Sequence, residues 1–476
     1  MSRECEALVV GSGPNGLTAA IRLARAGVRT LVVELDQTIG GGARTSELTL
    51  PGFRHDVCSA VHPTAYLSPA FREIGLEDFG LEWIFPAVSA AHPLDGESPV
   101  LLYPSARDTA KHLGKDDRNY LRLVQPLMPE AEKLIGQLLD PFALKKDLFN
   151  QARFGARGLP PAKWVAKALF KDARARALWA GCAAHSILPF DFWGTSAVAL
   201  VFLLAGHLAP WPVALGGSSS IAAALERAFR EAGGEIRLGQ KIERFDQLPK
   251  ASRYLFDLDP KQLASICGNR LGNRYRKALS RYQYGPGVCK LDFALSQAIP
   301  WRDRDCLLAS TVHVGGDYEE VAASERAAWD GVYCDKPFVM VCQQSQFDPS
   351  RAPSGHHTGY AYCHVPAGSA RSMAPEMTRQ IERFAPGFSD CVLATNETTA
   401  SGFEAYNPAY VGGAISGGAA KLTQLFTRPV AKLDPYRTSN PNLFLCSQST
   451  PPGGGVHGMC GWSAARSVLR SLKRQG

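Results

Sequence analysis

A short apolar run, Ala7-Leu8-Val9-Val10, passes directly into Gly11-Ser12-Gly13-Pro14-Asn15-Gly16 and then into a stretch whose Leu17, Ala20, Ile21, Leu23 and Ala24 share one helical stripe. Strand, glycine turn and helix in this order constrain the chain to a βαβ-type unit. Gly11 permits the tight turn, Gly13 leaves room for a diphosphate against the backbone, and Gly16 lets the helix pack closely on the strand. A phosphate placed there meets free N–H groups and the positive end of the helix dipole. A second strand, Thr30-Leu31-Val32-Val33, ends in Glu34, eighteen residues after Gly16, where a carboxylate suits an adenosine ribose. Together these features predict a dinucleotide site.

Just downstream lie Gly40-Gly41-Gly42-Ala43-Arg44-Thr45 and Pro51-Gly52-Phe53-Arg54-His55-Asp56. Near the other extreme, Asn442-Leu443-Phe444-Leu445-Cys446 has strand composition. It leads through Ser449-Thr450-Pro451-Pro452-Gly453-Gly454-Gly455-Val456-His457-Gly458-Met459 into a small-residue helix expected over 462–472. On these motifs the chain resembles the phytoene desaturase and flavin amine oxidase superfamily, and within it the bacterial phytoene-dehydrogenase-like proteins related to pyridine nucleotide-disulfide oxidoreductase domain protein two. The match spans the whole length, though the middle is followed only loosely.

That resemblance implies an α/β fold: a Rossmann-like FAD-binding domain of the glutathione reductase and amine oxidase type, with an interleaved α+β substrate domain carrying a helical cap. The implied cofactor is non-covalent FAD, since Cys460 lies beyond the glycine turn. Residues expected to touch it are Gly11, Gly13, Pro14, Asn15, Gly16, Glu34, Leu35, Gly41, Gly42, Ala43, Arg44, Gly454, Gly455, Val456 and His457, with Ile242 holding the adenine through its backbone. In the family the PGGGV-x-G turn aims a helix start at the flavin pyrimidine edge, and Gly453 to Gly455 are expected to spare the isoalloxazine a collision. Two departures stand out. Ser447-Gln448-Ser449 replaces the Gly-x-Gly common in relatives, and Gln240 to Phe245 runs within a few residues into Leu255-Phe256-Asp257 where many relatives add a β-hairpin.

The middle reads as short strands (Leu81–Phe85, Val100–Tyr103), then a helical cap around 121–208 broken at Gly155, Gly158 and Pro160-Pro161, then strands over Val288–Leu295, Phe338–Gln343 and Gly359–Val365. The expected division is an FAD-binding domain of 1–65, 215–258 and 433–476, with 66–214 and 259–432 forming the substrate-binding domain.

Flavin carries the difficult redox step, so no strong catalytic constellation is required, and none is visible. Candidate acid–base residues are His457, His62 and His55, the last beside Asp56, because they follow or sit inside cofactor-contacting segments; structural hydrogen bonding is the competing account. Adjacent His356 and His357 would face opposite sides of a strand, and Tyr360, Tyr362, Tyr406 and Tyr410 are pocket or core residues. Twelve scattered cysteines form no C-x-x-C pair and no metal-ligand spacing.

Net charge is +8, and the stretch from Lys145 to Arg176 alone carries nine Lys or Arg against two acids. It lacks any nucleic-acid recognition motif. With Leu144, Phe149, Phe154, Trp164 and Phe170 beside those charges, segment 145–176 fits either a membrane-surface contact or simply solvated helix faces. The apolar stretch Thr195–Leu208 is too short to span a bilayer, and the start of the chain does not resemble a signal peptide, which predicts a cytoplasmic protein, at most peripheral to the inner face of a membrane. The expected activity is hydride transfer between flavin N5 and a hydrophobic small molecule, in a desaturase, dehydrogenase or saturase. A redox-neutral C=C isomerase, a lipid carrier of the same fold and an amine oxidase are the alternatives.

Overall fold

The computed structural model describes residues 4–142, 147–425 and 427–473. Five short strands form a fully parallel sheet in the order Leu443–Leu445, Arg253–Phe256, Ala7–Val10, Thr30–Val33, Glu235–Arg237. Parallel sheets are covered on both faces, and the central strand obeys this. Ala7 and Val9 enter one apolar cluster, shared with the helices Pro14–Arg25, Ser219–Glu231 and Met459–Lys473. Leu8 and Val10 enter another, shared with Pro260–Cys267 and Asn273–Leu279. Those last two helices fall in the part assigned from sequence to substrate binding, yet they cover one face of the nucleotide sheet.

The second sheet has seven strands in the order Val392–Thr398, Gly287–Leu295, His357–Val365, Val339–Cys342, Ala309–Val314, Val88–Leu94, Glu97–Leu101. All neighbours are antiparallel except Ala309–Val314 with Val88–Leu94. Three of its strands answer the sequence expectation closely, whereas Val88–Leu94, Ala309–Val314 and Val392–Thr398 carry polar or small residues that hide their strand character. The expected strand over 100–103 ends at Leu101, and that over 81–85 shrinks to Trp83–Ile84.

Among the described residues, six α-helices between Asp117 and Leu208 form the cap. Leu148–Gly158 continues through Gly155 instead of breaking there, because the turn is held by the helix's own hydrogen bonds, and the break falls at Pro160-Pro161. Leu144, Lys145 and Lys146 of the basic segment lie outside the described residues. Among the described residues no helix is long and apolar enough to cross a membrane.

Candidate functional site

The ends of the parallel strands, the glycine stretch, the cap and the large sheet enclose one cavity of about 990 Å³. It opens where strand order reverses around Ala7–Val10, the position where doubly wound sheets bind ligands. Both glycine turns line it. Gly13, at the start of Pro14–Arg25, and Gly455, ahead of Met459–Lys473, are part of the same wall.

Close backbone approach holds this geometry. A Cβ on Gly16 would stand 2.2 Å from the Gly11 carbonyl oxygen, so the helix could not seat on the turn. A Cβ on Gly461 would stand 1.7 Å from the Asn15 carbonyl oxygen, so the terminal helix and the first helix touch backbone to backbone. Arg22 reinforces the contact, donating to the Trp462 carbonyl at 2.9 Å with its guanidinium 4.2 Å from the indole centre.

Each residue tied to the cofactor from sequence lines the cavity, apart from Gly16, which lies buried beneath the turn. Glu34 accepts from the Ser12 N–H at 2.8 Å and the Ser12 hydroxyl at 2.6 Å. Arg44 pairs with Asp36 at 2.9 Å and reaches Glu34 at 3.5 Å. The bare turns, the helix-start N–H groups and the strand-end acid form a cradle that fits an adenine dinucleotide. Gly453 and Gly454, expected to spare a flavin ring, have a further reason to be glycine within the protein itself. Side chains there would strike the Arg428 guanidinium at 2.6 Å and the Ser416 backbone at 2.8 Å.

The three histidine candidates divide. His55 does not line the cavity: it is fully buried, with Nε2 2.8 Å from the Thr49 hydroxyl and Nδ1 3.7 Å from Asp292. That placement sets its ring off the cavity wall and against Thr49. Burial, with the charges of Lys290 and Arg351, pushes its pKa down to about 3. His62 and His457 do line the cavity, and burial pushes each down to about 4. Both rings are therefore held in the neutral form near pH 7. His62 Nε2 is 3.0 Å from the Ser218 hydroxyl. His457 Nδ1 accepts the Met459 N–H at 3.1 Å, which caps the terminal helix and leaves its proton on Nε2.

Asp56, also missing from the cavity wall, is the hub of a buried network. Its carboxylate takes the Arg351 guanidinium at 2.5 Å, the Ser218 N–H at 2.7 Å and the Thr45 hydroxyl at 3.0 Å, tying the glycine stretch to the helix Ser219–Glu231. Burial alone would raise this carboxyl, but Arg351 and the Ser218 N–H outweigh it and hold it below the ordinary range. Arg351 also faces Asp348 at 3.9 Å, and all three side chains are at most 1% exposed.

Sequence reasoning missed several cavity residues. Asp257, at the end of Arg253–Phe256, accepts the Gly16 N–H at 2.9 Å, and burial pushes its carboxyl up to about 7, with Glu34 adding to the rise. Lys290 is 2% exposed, bonds Asp292 and holds its ammonium 4.5 Å from the Tyr360 ring centre. Arg428 is 1% exposed and donates to the carbonyls of Gln448 and Ala419 at 3.3 and 3.4 Å. The one available signal was position: Asp257 follows a strand that must lie beside the glycine turn. The others sit where only tertiary structure brings them.

A parallel dinucleotide sheet, an interleaved second sheet and two glycine-lined helix starts on one cavity give this chain the fold of the flavin-type oxidoreductases. Residues 9–74 match the family model described as an NAD(P)-binding Rossmann-like domain. Over nearly its whole length the chain is similar to pyridine nucleotide-disulfide oxidoreductase domain-containing protein 2 of Rattus norvegicus, at 25% identity over 99% of this chain and 94% of that protein. It is also similar to phytoene desaturase (lycopene-forming) of Pseudescherichia vulneris, at 26% identity over 97% and 98% of the two chains. Among solved structures, putrescine oxidase bound to putrescine shares the fold, with a TM-score of 0.61, 15% identity and 99% of each chain covered.

Proposed function

We propose that this protein is an FAD-dependent oxidoreductase, of desaturase, dehydrogenase or saturase type, whose substrate is a hydrophobic small molecule. The observation that carries the reading is the convergence of two glycine turns, more than 430 residues apart in sequence, on one cavity whose remaining wall is largely apolar. Bound FAD supplies a hydride acceptor or donor at its N5 atom. The chain's part is to bind, orient and exclude water. Glu34 takes the ribose, the start of Pro14–Arg25 takes the diphosphate, and Ile242 meets the adenine through its backbone. The start of Met459–Lys473, held in shape by His457, presents partial positive charge to the far end of the cofactor. His62 fixes Ser218 and the glycine stretch, and no proton needs to pass through either ring. Phytoene desaturase, named for a hydrophobic substrate, is a relative at full length and supports the substrate class.

Denaturing the purified protein and weighing what it releases tests the reading: FAD is the expected mass, and anaerobic photoreduction bleaches the visible bands of the intact protein. A colourless preparation that takes up no FAD on incubation would falsify it.

The basic part of the cap is proposed to touch the inner face of a membrane from the cytoplasm. Leu148 and Phe149 are 71% and 70% exposed, Trp164 is 54% exposed, and Lys163, Lys167 and Lys171 stand exposed beside them. Leu159, on the cavity wall and 43% exposed, links that surface to the cavity. Sedimentation with phosphatidylglycerol vesicles is expected, with affinity falling by at least about thirtyfold in Lys163→Glu/Lys167→Glu, since each basic residue near an anionic surface contributes roughly 1 kcal/mol. Equal sedimentation of the variant would discard the contact.

A further inference from the structure

We propose that the end of the cavity farthest along strand His357–Val365 is a polar subsite, built by His364 on Glu325, that recognises a hydroxyl hydrogen-bond donor on an otherwise apolar ligand. The proposal rests on the oxidoreductase reading of the same cavity and adds to it a class of molecule: a hydrophobic alcohol.

Alternate residues of a strand face one side, and here Tyr360, Tyr362 and His364 all face the cavity. Their ring centres follow one another at 6.3 and 5.9 Å. At the near end the Tyr360 hydroxyl oxygen accepts the Ala60 N–H at 3.2 Å, close to the glycine stretch, so the stripe leads away from the cofactor cradle toward His364. Phe202, Trp211 and Met340 keep the surroundings apolar. Such a lining holds a hydrocarbon body and gives it no fixed orientation.

His364 breaks the apolar character. Its Nδ1 lies 2.8 and 2.9 Å from the two carboxylate oxygens of Glu325, on helix Tyr318–Trp329, and the residues are only 4% and 1% exposed. A carboxylate only accepts, so Nδ1 carries a proton, and the tautomer this bond selects has its lone pair on Nε2. Nε2 has no hydrogen-bond partner among the described residues. A buried acceptor left unmatched is unfavourable, and a ligand hydroxyl reaching it removes that penalty where an ether or alkyl group cannot. His185, also on the cavity wall, already engages its Nε2 with His313 at 3.1 Å and stacks on Phe202. Glu325 acts through His364, as a positioning residue that fixes which nitrogen accepts.

Calorimetric titration of the holoprotein with 1-nonanol and with its isomer methyl octyl ether tests this, because the two probes share composition and differ in the O–H. Nonanol is expected to bind about tenfold tighter, the size of one net hydrogen bond. In His364→Phe the preference disappears while the ether still binds. In the near-isosteric Glu325→Gln the amide can donate to Nδ1, moving the ring proton to Nε2, and the ether then binds as well as the alcohol; this variant carries the test if His364→Phe does not fold. Equal binding of the probes by the wild type, no binding of either, or a preference that survives both substitutions overturns the proposal and leaves Glu325 and His364 as a pin between helix and strand. Since heat is measured, a flavin-free protein that prefers nonanol would sink the oxidoreductase reading alone.

Discussion

Arg351→Met lowers the unfolding free energy by about 3–5 kcal/mol at neutral pH, the cost of leaving buried charge without its partner. Asp56 and Asp348 both face this guanidinium at no more than 1% exposure, so methionine fills the volume and strands two carboxylates. The loss has a pH signature. In the parent Asp56 is held below its ordinary pKa, so its contribution is present above the unfolded value near 3.8 and is lost as pH falls through the depressed folded value. The variant lacks that contribution, so the two proteins converge as the medium is acidified. Adding Asp56→Asn to the variant recovers part of the loss. Denaturant titrations measure the difference, and a change under about 1 kcal/mol would mean that the network is not a structural hub.

The second large effect concerns cofactor affinity. If the proposed cofactor is FAD, its binding weakens as pH rises from about 6 to about 9, by at most about tenfold per unit, the limit for one coupled proton. Asp257 lies against the glycine turn proposed to receive the diphosphate, and burial, assisted by Glu34, pushes its carboxyl from 3.8 up to about 7. Below that pH the group is protonated and tolerates an anion; above it a carboxylate repels one. The same raised value stabilises the folded chain fully below the unfolded pKa near 3.8, and that contribution disappears as pH rises through about 7. Asp257→Asn flattens the affinity profile. Flavin fluorescence at fixed ionic strength reads the dissociation constant, and a slope that persists in the asparagine variant would acquit Asp257.

How much of this was legible in the residues follows from the range of each signal. The glycine turns and Glu34 are local patterns with one geometric solution, so strand, turn, helix and cradle could be placed from spacing alone. Val88–Leu94 was missed because Ser89, Ala90, Ala91, His92 and Pro93 lack the β-branched run that marks a strand. Ala309–Val314 does carry Thr311, Val312 and Val314, but Ser310 and His313 interrupt its apolar pattern. Lys290, Arg428 and the His364–Glu325 pair were illegible for another reason. Alternation along a strand tells which residues share a side, but not which helix or loop arrives opposite. His55 misled because nearness in sequence to a cofactor segment was taken for nearness in space, whereas its strand turns the ring toward Asp292.

The parallel sheet has a consequence for how the molecule comes into being. Its central strand is Ala7–Val10, while the outermost, Leu443–Leu445, and the helix that packs on Pro14–Arg25 through Gly461 belong to the last few dozen described residues. A nascent polypeptide must therefore carry an unpaired, apolar strand edge through most of its synthesis, and pairing that spans so much sequence is slow and exposed to aggregation. Chaperone protection during translation, and the presence of the proposed cofactor as the final helix docks, would govern how much folded protein is obtained.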